Sequence, residues 1–185
     1  MIRNFCYNFA YKQPPKKAQS MKLTHINDKN LPKMVDVGAK DISSRIAIAS
    51  GVIKMSKEAY ELALSGIGKK GPVMQTAVIS AIMAAKRTSE SIAMAHPIAI
   101  NGVDIDIAPL PDLPGFKLSA SVKTSGKTGV EMEALHAVSV GLLNIYDMLK
   151  AADKAMLISD IFLEHKSGGK SGDINNDLDA IKGRK

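Results

Sequence analysis

Between residues 98 and 123 the chain alternates twice. "IAINGVDIDI" sets Ile98, Ile100, Val103, Ile105 and Ile107 against smaller or polar neighbours. "FKLSASVK" sets Phe116, Leu118, Ala120 and Val122 against Lys117, Ser119, Ser121 and Lys123. Alternation with period two is what a strand with one buried and one wet face requires. Pro109, Pro111, Pro114 and Gly115 supply a turn between the runs, and Asn101-Gly102 suits a bulge or bend. The spacing therefore predicts an antiparallel hairpin.

The flanking segments switch period in order. "RIAIASGVIKM" (45–55) reads as a strand, and "SKEAYELALSG" (56–66) as a short helix with Ser56 as N-cap and Gly66 at its stop. A second helix is predicted over 72–90, with Pro72 at its first position. Val73, Ala77, Val78, Ile79, Ala81, Ile82 and Ala84 make it apolar almost all round, hence buried. A long helix is predicted from Thr128, its cap, to Asp153, with Gly126 and Gly129 letting the preceding loop turn. "MLISDIFLEHK" (156–166) closes the series as a strand. The order is βαββαβ with one extra short helix, an α+β, ferredoxin-like split βαβ sandwich.

Residues 1–20 stand apart. They hold Phe5, Tyr7, Phe9 and Tyr11 and end in a Pro-Pro-Lys-Lys linker before Met21. They are acid-free like a transit peptide, but their scarcity of arginine and serine argues against one. They read as a flexible extension or a start-site artefact, leaving a domain over 21–172 and a polar tail over 173–185 that is expected to be mobile.

Composition excludes several functions. Of the net charge of +7, +4 lies in residues 1–20, so the rest is only mildly basic and global charge does not point to nucleic acid. The strands offer only Phe116 and Phe162 for stacking on bases, which argues against an RNA-binding module. No apolar run is long enough for a membrane span. Cys6 is the single cysteine, and His25, His96, His136 and His165 lack ligand spacing, so no metal site is expected. "SGKT" at 125–128 is no P-loop, because Ser121 stands where the first glycine is needed.

Four clusters could carry chemistry. Glu131 falls in the first turn of the long helix, where the dipole favours an acid. On the same helix Glu133 and Asp147 lie within about 40° of one face, and Asp147 and Lys150 are three residues apart. His96 is held out of helical geometry by Pro97. Lys69 and Lys70 precede the buried helix, and Lys166 and Lys170 flank a glycine pair in "KSGGKSG". Singly, each has an ordinary structural explanation. Together they suit a polyphosphate substrate undergoing proton transfer.

The strings "LTH", "MVDV..K", "KRTSESI...HP", "KTGVEMEAL", "IYDM.KA.DK" and "K.GGKSG" resemble the cyclic pyranopterin monophosphate synthase family, the C protein of molybdenum cofactor biosynthesis. The resemblance runs from about Leu23 to Gly172. It implies a lyase that converts a cyclised guanosine triphosphate to cyclic pyranopterin monophosphate and releases pyrophosphate. It further implies a ferredoxin-like fold, a cytoplasmic homohexamer built as a trimer of dimers, and sites at subunit interfaces. No resident cofactor is implied; magnesium enters, if at all, with the triphosphate. By the same resemblance Asp147 and Lys150 are the catalytic pair, and Met94, Ala95, His96, Met132 and Glu133 bind substrate. Glu131, Arg45, Lys70 and Lys166 would hold the base and the triphosphate. The chain departs from the family where Ala93-Met94-Ala95-His96-Pro97 replaces Pro-Leu-Cys-His-Pro, where Pro72 replaces an aspartate, and where His136 replaces a threonine. An inactive relative that binds nucleotide without turnover is the competing reading, and turnover of the cyclised nucleotide separates the two.

Overall fold

The computed structural model describes residues 27, 29, 31–66 and 71–184. The chain divides into residues 1–35 and residues 36–185. In the first part, Asn27 Oδ1 accepts from the backbone N–H of Lys29 (2.9 Å) and Leu31 (3.0 Å). All the elements below belong to the second.

They run β1 (Ser43–Lys54), α1 (Lys57–Ser65), α2 (Val73–Lys86), α3 (Thr88–Ser91), β2 (Ile100–Pro109), β3 (Gly115–Gly126), α4 (Glu131–Leu149), β4 (Leu157–Ser167), β5 (Ile174–Asn175) and α5 (Leu178–Lys182). The sheet order is β2-β3-β1-β4-β5, every neighbour antiparallel. The first four strands are the ferredoxin-like arrangement that the order of periods predicts. The hairpin forms as expected, with a register shift between Ile100 and Gly102 where Asn101-Gly102 suggests a bulge. Leu118, Ala120 and Val122 are fully buried, while Asp104, Asp106 and Lys123 face water.

One face of the sheet is covered. α4 packs on β1, β3 and β4, and α2 packs against α4 and β2. Ile53, Phe116, Leu118, Leu142, Ile145 and Leu149 fill the space between, each contributing about 1.5–3 kcal/mol by leaving water. The two helices touch closely at Gly141, where an added Cβ would stand 2.5 Å from Leu118 Cδ1 and 3.2 Å from Ala81 Cβ. On the open face Glu164 Oε1 accepts from Ser50 Oγ (2.6 Å) and Lys117 Nζ (2.8 Å). Burial alone would raise the Glu164 pKa, but these two donors win and hold it below the ordinary value.

Helix α1 begins and ends as predicted: Ser56 Oγ accepts from Ala59 N–H at 3.2 Å, and Gly66 adopts φ 68. The other helices are shorter than their patterns. The second stops at Lys86 rather than 90, and Pro72 is its N-cap rather than its first residue. Thr88 Oγ1 turns back on the carbonyls of Ala84 (3.2 Å) and Ala85 (3.0 Å), and a separate turn, α3, follows. Nor is α2 buried all round. Its outer side leaves Ile79 63% and Met83 37% exposed, because only one side meets α4 and β2.

Helix α4 starts at Glu131, and Val130, not Thr128, is its N-cap, with no side-chain capping bond. Arg45 holds the preceding loop by donating to the carbonyls of Gly126 (Nε, 3.0 Å) and Lys127 (Nη2, 3.3 Å). The helix ends at Leu149, short of Asp153, whose carboxylate accepts from Ser56 N–H and Ala155 N–H, both at 2.7 Å. Beyond β4, where periodicity announces nothing, β5 pairs with β4 and α5 is capped by Asp177.

Candidate functional site

The predicted site residues fall at two ends of α4. At its N-terminal end a cavity of about 220 Å³ is lined by Arg45 from β1, Glu131 from the first turn of α4 and Lys166 from β4, with Lys40 and Lys170 beside them. β1 and β4 pair so that Lys166 lies opposite Ala47, two residues from Arg45. Lys166 Nζ donates to Glu131 Oε1 at 2.8 Å. Lys40 is the member that sequence reasoning left unassigned. It precedes β1 in irregular chain, where no periodicity marks it, although it ends the "MVDV..K" string.

The loop carrying Met94, Ala95 and His96 leads from α3 into β2 at the same end of the sheet. Thr124, the register partner of Arg45, donates from Oγ1 to Ala99 O at 2.7 Å and ties that loop down. Ala95 N–H donates to Ile92 O at 2.9 Å, so this backbone is turned in place whatever side chain stands at 95.

Met132 and Glu133 are neighbours in sequence, yet they face apart. Met132 is exposed, whereas Glu133 is only 3% exposed and its Oε2 has no hydrogen-bond partner. Burial raises the Glu133 pKa above the usual carboxylate value, its own backbone N–H opposes this, and the nearby Glu131 charge adds to it. The folded state therefore holds a proton that the unfolded chain releases. The associated stability is fully present below pH 4.5 and is lost as pH rises through the raised value. Glu133→Gln should abolish this dependence, so its melting temperature should gain on the parent protein's as pH climbs through that window. Parallel melting curves for the two proteins would reveal the opposite sign, a gain at low pH, if Glu133 were ionised in the fold.

At the far end of α4, Asp147 Oδ1 and Lys150 Nζ are 2.7 Å apart, each about half exposed. The hydrogen bond to Asp147, and then its charge, raise the Lys150 pKa. Sixteen residues of helix separate Asp147 from Glu131, which at 1.5 Å per residue is roughly 24 Å. Helix α2 runs antiparallel to α4, since Thr88 meets His136 (3.2 Å) while Ala77 and Ala81 lie by Gly141. The start of α2, just after Gly71-Pro72, is thus at the Asp147 end. Lys70 itself lies outside the described residues.

One chain therefore carries two separate charged clusters: cations and a carboxylate at the head of α4, and the Asp147–Lys150 ion pair at its tail. Among the described residues no group of His, Cys, Asp and Glu could hold a metal ion, and no helix is long and apolar enough to cross a membrane.

Residues 34–169 match the MoaC family. The chain is 63% identical over 155 residues to a cyclic pyranopterin monophosphate synthase of Helicobacter pylori (strain ATCC 700392 / 26695), covering 84% of this chain and 98% of that protein. It is 60% identical over 154 residues to one from Helicobacter hepaticus (83% and 97%). It is 57% identical over 155 residues to one from Sulfurovum sp. (strain NBC37-1) (84% and 99%).

Proposed function

The chain belongs to the MoaC family, and on that premise we propose that it is a cyclic pyranopterin monophosphate synthase of molybdenum cofactor biosynthesis. It converts cyclised guanosine triphosphate to cyclic pyranopterin monophosphate and pyrophosphate. The observation that carries this reading to the residues is the cavity at the head of α4, where Lys40, Arg45, Lys166 and Lys170 surround a single carboxylate. Making a cyclic monophosphate from a triphosphate forms a new oxygen bond at the α-phosphorus and breaks its bridge to the β-phosphate. The leaving pyrophosphate carries the negative charge away, and clustered cations stabilise it. Asp147 and Lys150 exchange protons with the rearranging ring, while Met94, Ala95, His96, Met132 and Glu133 bind the rest of the substrate, with Lys70 on the phosphates. Conversion of the cyclised nucleotide with stoichiometric pyrophosphate release tests the assignment; binding without turnover would identify an inactive relative.

The working form is a cytoplasmic homohexamer, a trimer of dimers. What supports self-association is the separation of about 24 Å between the two clusters, too long for one small substrate to bridge. A second copy with its α4 antiparallel would bring the tail of one helix to the head of the other, completing two sites about a two-fold axis. Met132, Leu143 and Asp147, all exposed, mark the helix face such a pairing would cover. An Asp147→Asn chain mixed with an equal amount of an Arg45→Ala chain should regain about a quarter of the parent activity, because half of random pairs are mixed and each has one intact site. No recovery in verified mixed oligomers would mean that both residues serve the same subunit.

The domain is taken as residues 21–172, and deleting residues 1–20 should leave turnover and melting temperature unchanged. What supports this is the family match, which begins at residue 34, with 155 residues of the chain enough to span 98% of the Helicobacter pylori protein. A large loss on truncation would show that the aromatic leader docks on the domain.

A further inference from the structure

Four cations and one acid line the cavity at the head of α4. The acid, Glu131, folds back over the chain. A Cβ built on Gly129 would stand 1.9 Å from Glu131 Oε2 and 2.7 Å from its Cδ, so the carboxylate occupies the space a side chain at 129 would take. Its other oxygen accepts from Lys166 Nζ at 2.8 Å, and both partners are about three-quarters buried. Gly129 does not have positive φ. Its lack of a side chain serves space rather than backbone conformation.

We propose that Glu131 is a placeholder for substrate phosphate, and that Gly129 is the positioning residue that gives it its seat. This rests on the reading that a polyphosphate binds the cavity. A phosphoryl oxygen that takes the place of Glu131 Oε1 on Lys166 displaces the carboxylate, which then swings off Gly129. The closed arrangement lowers apparent affinity by the fraction of time it persists. It also favours release of pyrophosphate, because the returning carboxylate competes with it for Lys166. The cavity is thereby tuned for a ligand that must leave after turnover, a step that often limits such enzymes.

The test is calorimetric titration of inorganic tripolyphosphate into the full-length protein, Glu131→Gln and Gly129→Ala at one fixed salt concentration. Glu131→Gln keeps the size and removes the competing charge, and it should bind at least about tenfold more tightly than the parent. Gly129→Ala keeps the charge and denies it the seat, and it should bind at least about threefold more tightly. No gain in Glu131→Gln, or no binding by any of the three, overturns the proposal. A gain in Glu131→Gln alone, with Gly129→Ala folded, overturns the role given to Gly129. If Gly129→Ala does not fold, Glu131→Gln decides. Turnover of the cyclised nucleotide is read in parallel. The expected gains without parental turnover would sink the lyase reading and leave the placeholder standing; turnover without the gains would do the reverse.

Discussion

Replacing Asp147 by Asn, or Lys150 by Ala, is expected to slow single-turnover conversion of the cyclised nucleotide by at least about 100-fold, within the 10²–10⁴-fold that acid–base groups typically supply. Neither change should move the melting temperature appreciably. The pair is 2.7 Å apart and about half exposed at the tail of α4, where water screens an ion pair and leaves it little effect on stability. Asn preserves the size and hydrogen bonding of Asp147 but cannot shuttle a proton, so that variant isolates proton transfer from shape. Lys150 holds its proton more firmly because of Asp147, so Asp147→Asn should also lower the Lys150 pKa and shift the pH–rate profile. Pyrophosphate release is the readout, with thermal melts as the folding control. Near-parental rates in both variants would reduce the pair to a surface ion pair.

A second large effect is expected at Gly168. Its φ is 82, and a Cβ there would meet Ser44 O at 2.0 Å and Arg45 Cα at 3.2 Å. Ser43 Oγ donates to Gly168 O at 2.9 Å, so the segment after β4 lies flush on the start of β1. Gly168→Ala incurs the left-handed penalty of about 1–2 kcal/mol and must also push two backbones apart. A total near 2 kcal/mol or more would lower the melting temperature by roughly 4–8 °C. The displacement carries Lys166 and Gly169 away from Glu131 and Arg45, so turnover should fall by about tenfold or more, in line with the sensitivity of rates to small misplacements. Gly172→Ala is the control: its φ is 71, but nothing lies within 4 Å of its Cβ position. It should show the conformational penalty and little else. Equal losses in the two variants would mean that contact with Ser44 does not set the cavity.

What the sequence makes legible is what short-range pattern controls. The β2–β3 hairpin, the bulge at Asn101-Gly102 and both caps of α1 depend on residues within a few positions of one another. The end of α2 is local too, Thr88 folding back on the carbonyls at 84 and 85, but no periodicity marks it. The start of α4 is not local, because Arg45 reaches across 81 residues to Gly126. Strand β4 hides its irregularities for the same reason. Asp160 takes φ 56, and Glu164 is held by Ser50 and Lys117 from two other strands. As for the site, the Asp147–Lys150 contact follows from helical spacing. The meeting of Arg45, Glu131 and Lys166 is carried by three separate elements, and only the family resemblance suggests it. Lys40 has no helical or strand spacing to mark it, and only its place at the end of the "MVDV..K" string points to it.

Helix α4 is also a gauge of fixed phase. Every residue inserted between Glu131 and Asp147 would lengthen the interval by about 1.5 Å and rotate one end against the other by about 100°. In an antiparallel pair the lengthening is harmless, because two copies can slide until head and tail coincide again. The rotation cannot be undone by sliding. It would turn Asp147 and Lys150 out of the face that the proposed pairing shares, and only insertions near a whole number of turns would return them. Change of length in α4 is therefore closed: a one-residue deletion near its midpoint should silence the protein and, by rotating buried Val138 and Leu142 against the sheet, also lower its melting temperature.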